Sequence, residues 1–193
     1  MAYDALMKDK NSGGFNATHI DVIETCQWHR GWISSYFAQI EYMLGDLIAK
    51  CRAFPEYSEQ TKNISHSASK RVAKIRAMIE KPGPLKAYAE RLETVLSAFL
   101  ENYETRNLLA HGFTEFHLTP GDDYAMVYKR FVRGEDGTDV IVQRVFRPND
   151  LDREHGKLGE IVGGVMELFV EIHEKYGWLG KNDGDIRSLF NPQ

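Results

Sequence analysis

Arg106, Asn107 and His111 are the residues whose types and spacing offer chemistry in this chain. An imidazole exchanges protons near neutral pH, and a guanidinium presents a planar fork of N–H donors that matches a phosphate. A carboxamide between them can orient either group. The three stand in "NYETRNLLAHGF", residues 102–113, where helical periodicity runs into a glycine. The apolar stripe through Tyr88, Leu92, Val95, Phe99 and Tyr103 continues by the same count to Arg106 and Ala110. A guanidinium on such a stripe is costly unless it is paired or lines a cleft. On a regular helix His111 is rotated by about 140° from Arg106, so the two do not share a face, whereas Asn107 and His111 do. Joint action needs Arg106 to bend around the helix end, or a second copy of the helix to supply the partner. A plainer reading needs no chemistry, because His and Arg in a last turn also complement the negative end of the helix dipole.

The elements that must position these residues follow from hydrophobic period. Residues 1–16 are polar and glycine-containing and read as a flexible leader. Ile20, Ile23, Ile33, Phe37, Ile40, Leu44, Leu47, Ile48 and Cys51 recur at helical spacing and predict a long first helix ending near Pro55. A second stripe on it, Trp28, Trp32, Tyr36 and Met43, is bulky and mostly aromatic, so one face is expected to meet a partner outside the chain. Ile64, Ala68, Val72, Ile75 and Ile79 predict a second helix over about Ser58 to Lys81, closed by "KPGP". Pro84 opens a third that runs unbroken to His111, and Gly112 is its expected left-handed stop.

The period then changes to that of strands. "FTEFHLT", "YAMVYKRFV" and "TDVIVQRVF" are separated by "PGDD" and "RGEDG", so residues 113–147 predict a small antiparallel hairpin or meander of two or three strands. Pro148 opens a last helix with Leu151, Leu158, Ile161, Val165, Leu168, Phe169 and Ile172 facing inward; Gly159, Gly163 and Gly164 within it suggest close helix approach. Residues 177–193 form a tail expected to be loop or a short docking turn. The expected architecture is mainly α, an antiparallel four-helix bundle with a β insertion before the last helix, in one domain over residues 1–193.

Composition narrows the function classes. The chain has 193 residues, 42% of them hydrophobic, and a formal charge of -4, which argues against indiscriminate nucleic-acid binding. The basic residues are concentrated, however: residues 62–86 hold seven of them against Glu80 alone, and Lys70, Arg71, Lys74 and Arg76 form a candidate RNA-binding face whose alternative is a solvated helix surface. Cys26 and Cys51 show no C-x-x-C spacing, which points to reduced thiols rather than a disulfide framework. With no signal-peptide pattern and no long apolar run, a soluble cytoplasmic protein with no membrane partner is expected.

"RNLLAH", Arg106 to His111, resembles the R-x4-6-H motif of the HEPN superfamily, in which a polar residue follows the arginine and the motif ends a helix of an antiparallel four-helix bundle. Asn107 takes that polar place, and four residues separate Arg106 from His111. The resemblance covers the three helices before the strands and the one after. It implies a metal-independent endoribonuclease without cofactor, attacking RNA through its own 2′-hydroxyl at a site shared across a homodimer. His111 would be base or acid, Arg106 would hold the scissile phosphate, and Asn107 would orient one of them. It further implies a toxin or phage-defence role, with any nucleotidyltransferase-like antitoxin a separate protein. The aromatic stripe of Trp28, Trp32, Tyr36 and Met43 would supply the dimer interface. The alternative is a catalytically inactive HEPN-like bundle that binds RNA, a nucleotide or a protein partner. The strands inserted between motif and last helix depart from the family pattern.

Overall fold

The structure, a computed structural model, describes residues 17–119 and 123–178. The expected leader, the "PGDD" turn and residues 179–193 of the tail lie at least in part outside that range. The chain is mainly helical, with one small antiparallel sheet. Helix α1 spans Ala17–Lys50 and is followed by 3-10 turns at Cys51–Ala53 and Pro55–Tyr57. Then come α2 (Ser58–Thr61), α3 (Ala68–Glu80), a 3-10 turn at Pro84–Tyr88, α4 (Ala89–Glu101) and α5 (Tyr103–His111). Strands β1 (Phe113–Thr119), β2 (Asp123–Arg133) and β3 (Asp139–Phe146) precede α6 (Pro148–Lys175).

Two expected helices are interrupted. The second breaks after Thr61, and α3 starts only at Ala68, where the Ser67 side chain accepts from the Lys70 amide. Its basic residues hold the break open: Arg71 donates to the Ser65 carbonyl and Lys74 to those of Gln60 and Asn63, so these loop acceptors are satisfied without helix. The third breaks at Asn102, whose side-chain amide donates to the Ala98 carbonyl at 2.7 Å while its own N–H turns to Phe99. Such a side chain competes with the backbone ladder and resets it.

The reset changes which residues are buried. In α4 the covered face carries Leu92, Leu96 and Phe99, and in α5 it carries Thr105, Leu108 and Leu109. Arg106 therefore does not sit on the apolar stripe. It is half-buried, one position past Thr105.

The chain falls into two compact units, residues 1–35 with 104–158, and residues 36–103 with 159–193. The second is helical. Its core draws Phe37, Ile40, Leu44, Leu47 and Ile48 from α1, Val72, Ile75 and Met78 from α3, Leu92, Leu96 and Phe99 from α4, and Val165, Leu168 and Ile172 from α6. Polar ties join the same segments: Arg76 to Glu93, Arg91 to Glu171, and His173 to Asp46. Trp178, just after α6, lies against Phe54, His173 and Tyr176.

The other unit holds the sheet, α5, the first turns of α1 and the start of α6. The sheet has three strands in the order β1-β2-β3, a meander rather than a single hairpin. Register sorts its residues by face, with Phe113 opposite Lys129 and Phe131 opposite Ile141. Met126, Tyr128 and Phe146 lie on the covered face, whereas Phe113, Phe131, Ile141 and Val145 are exposed on the other. Gly163 and Gly164 do not mediate close approach: a Cβ at either would meet nothing within 4 Å, and at Gly159 it would meet Tyr36 only in ordinary contact.

Candidate functional site

Helix α5 is nine residues long, too short to hold its shape unaided, and three arginines of its own unit fix it. Arg130 of β2 donates to Glu104 at 2.7 Å, and Arg144 of β3 donates to Thr105 Oγ1 at 2.8 Å. Arg30 of α1 donates through Nε to the Leu109 carbonyl at 2.6 Å, satisfying an acceptor that the helix end leaves open. The helix closes with the Gly112 N–H on the Leu108 carbonyl at 2.8 Å. Gly112 is required there for a different reason from the one the sequence suggests. Its φ lies outside the left-handed region, but a Cβ would come within 2.3 Å of the Leu108 oxygen.

At that end Arg106, Asn107 and His111 converge within one chain. Arg106 Nη1 lies 3.1 Å from Asn107 Oδ1 and 3.2 Å from His111 Nε2. The offset of about 140° separates the Cα directions of Arg106 and His111, so their contact within one chain takes the route around the helix end. A long arginine side chain wraps around the last turn, and His111 has no further helix beyond it to fold against. A guanidinium can only donate, so His111 Nε2 is the acceptor in this contact and carries its lone pair toward Arg106. His111 itself is exposed.

His111 also borders an open groove of about 480 Å³, lined further by Phe113, Lys129, Arg130, Phe131 and Ile141. Its cations are held in place: Lys129 pairs with Glu115 at 2.6 Å and Arg130 with Glu104. The hydrogen bond from Lys129, helped by His117, keeps the Glu115 carboxyl below the usual glutamate range. Phe113 and Phe131 are 68% and 74% exposed, two aromatic faces beside a basic wall.

The remaining sequence candidates lie elsewhere. Lys70, Arg71, Lys74 and Arg76 belong to the helical unit. Arg71 and Lys74 are engaged with backbone carbonyls, and Arg76 with Glu93 and Ser97, leaving Lys70 as the exposed member of the four. Of the aromatic stripe, Trp28 and Trp32 are 54% and 42% exposed on the sheet-bearing unit; Tyr36 and Met43 are half-buried and belong to the helical one.

A second cluster is assembled by the tertiary fold. His29 of α1 and His155 of α6 turn their Nδ1 atoms toward each other at 3.0 Å, with Asp152 Oδ1 3.8 Å from His29 Nε2. Burial and the neighbouring His155 push the His29 imidazole below its ordinary range, opposed by Asp152. The one signal available was the i, i+3 spacing of Asp152 and His155. The roles of Phe131, Arg130 and Arg144 depend on strand register, which local sequence does not specify.

Comparison with protein-family models, with curated proteins and with solved structures gives no match. Among the described residues no helix is long and apolar enough to cross a membrane.

Proposed function

We propose that this chain is a HEPN-like, metal-independent endoribonuclease whose reacting groups are Arg106, Asn107 and His111. The observation that carries the reading is the convergence of Arg106 Nη1 on Asn107 Oδ1 and His111 Nε2 at the edge of a basic, aromatic groove. A phosphodiester entering the groove competes for the guanidinium, since a bidentate charge-assisted pair outweighs a neutral imidazole contact. That exchange releases the Nε2 lone pair to take the 2′-hydroxyl proton. The 2′-oxygen then attacks phosphorus, the 5′-oxygen leaves with a proton from an acid, and a 2′,3′-cyclic phosphate remains. Arg106 stabilises the charge that develops on the phosphoryl oxygens, an effect worth about 10²–10³ in rate for one well-placed donor. Phe113 and Phe131 offer faces on which neighbouring bases stack.

Base and acid act on opposite sides of phosphorus, and one chain brings a single His111 to the groove. A second copy related by a two-fold axis supplies the other imidazole, which is the chemical argument for a homodimer. The exposed Trp28 and Trp32 are consistent with such an interface. The antiparallel four-helix arrangement of the superfamily, a cytoplasmic toxin or phage-defence setting and a separate antitoxin belong to the same proposal.

The test is RNA cleavage by purified protein in EDTA, with end groups identified by mass spectrometry. His111→Ala is expected to lower the rate by about 10²–10⁴ without unfolding. Undiminished cleavage in that variant removes His111 from the mechanism. The second reading, a bundle that binds RNA without cutting it, is favoured by the exposure of Phe113, Phe131, Ile141 and Val145 on one sheet face; it predicts saturable binding with no cyclic-phosphate product.

A further inference from the structure

We infer that His29, His155 and Asp152 form a binding site for a divalent transition-metal ion of the zinc type, bridging α1 and α6 within the sheet-bearing unit. One ligand atom from each residue lies within 4.8 Å of the other two. The two imidazoles come from positions 126 residues apart and present the same ring nitrogen to each other at 3.0 Å. Without metal, only one proton fits between those nitrogens, so one ring donates and the other accepts. A tetrahedral ion with bonds of about 2.0–2.1 Å places two nitrogen ligands about 3.3 Å apart, so both lone pairs reach one ion after a shift of a few tenths of an ångström.

The third ligand fits the same chemistry. Asp152 precedes His155 by three residues, which puts both on one face of α6, and its side chain is 76% exposed and able to swing. Two imidazoles and a carboxylate suit Zn²⁺, Co²⁺, Ni²⁺ or Cu²⁺ and suit Mg²⁺ or Ca²⁺ poorly. A fourth position is left for water. The surroundings are apolar and restrict the rings: Trp28 packs edge-on against both imidazoles, and Trp32 stacks on His155 with ring planes 19° apart. The ion would brace the turn of α1 that carries Arg30, whose Nε holds the Leu109 carbonyl of α5. This inference does not depend on the nuclease reading, because its test reads metal rather than RNA.

The full-length chain is stripped with chelator, dialysed and titrated with Co²⁺, following visible absorption and quenching of tryptophan fluorescence. Saturation at one ion per chain is expected, with Zn²⁺ displacing Co²⁺ and raising the melting temperature. His155→Gln should abolish saturable binding. Asp152→Asn, at an exposed position that folding does not need, should weaken it by about tenfold or more, since losing even a group that only supports a ligand costs that much. Absence of one-equivalent binding in the wild type overturns the site, and so does binding in both variants equal to wild type.

Discussion

Replacing Gly112 with alanine tests how helix α5 ends. The added Cβ would stand 2.3 Å from the Leu108 oxygen and 3.4 Å from the Lys129 oxygen, whereas real Cβ contacts essentially never fall below 3.0 Å. The Leu108 carbonyl must therefore retreat, and it is also the acceptor of the Gly112 N–H that closes α5. Forced displacement of packed backbone costs about 1–3 kcal/mol, and weakening the closing bond about 1 kcal/mol more. Against this, alanine restricts the unfolded chain and returns about 0.4–1 kcal/mol. The net expectation is a loss of about 1–3 kcal/mol. Gly163→Ala is the control, because its Cβ meets nothing within 4 Å inside α6 and should stabilise by about 0.5–1 kcal/mol. Urea unfolding followed by circular dichroism reads both. With a slope of about 2 kcal/mol/M, the Gly112→Ala midpoint should fall by about 0.5–1.5 M while the control rises. A midpoint for Gly112→Ala at or above wild type would refute the close approach and, with it, the stated geometry of His111.

Two further outcomes are expected. Phe131→Ala, at a 74% exposed position, should leave stability within about 0.5 kcal/mol of wild type yet weaken RNA binding by about 1–3 kcal/mol, measured by fluorescence anisotropy in EDTA; unchanged affinity removes the groove's aromatic wall from RNA recognition. Burial pushes Cys26 up to about 11 and Cys51 up to about 12, so at pH 8 only about one thiol in a thousand or fewer is thiolate, against about a quarter for an ordinary cysteine. A chromogenic disulfide reagent should therefore report almost no reaction in the native protein and two thiols after denaturation. Fast native labelling would contradict the burial of both residues.

The periodic parts of the sequence foretold a mainly helical chain with a small antiparallel sheet. Ile33, Phe37, Ile40, Leu44, Leu47 and Ile48 are all buried, and the three stretches rich in β-branched and aromatic residues form β1, β2 and β3. What escaped are places where one side chain decides the backbone. Asn102 looks like any polar residue on a helix surface, yet its amide captures the Ala98 carbonyl and shifts the buried face from Arg106 to Thr105. The basic run of α3 was legible as charge but not as bonding: a lysine facing water and an arginine holding a loop carbonyl have the same letters. The Arg106–His111 pair was legible in the sequence together with two routes to contact, and the structure takes the one within a single chain, around the helix end. His29 and His155 were beyond reach, because nothing local links two residues that only the tertiary fold makes neighbours.

The arginines divide by what their geometry demands. Arg30, Arg130 and Arg144 each deliver a donor to α5 from a different element, and each bond lands on a backbone or side-chain oxygen of that helix. Nine residues could not hold Arg106, Asn107 and His111 to within a fraction of an ångström by their own ladder, so the precision must come from these three contacts and from the close turn at Gly112. Arg106 points the other way, toward Asn107 and His111, where its contact to the imidazole is the kind that an incoming anion can replace. In the proposed mechanism that replacement is what couples substrate arrival to release of the base. Helix rigidity and site chemistry thus rest on different arginines, which is why truncating Arg106 should spare the fold while truncating the three supporting arginines should not.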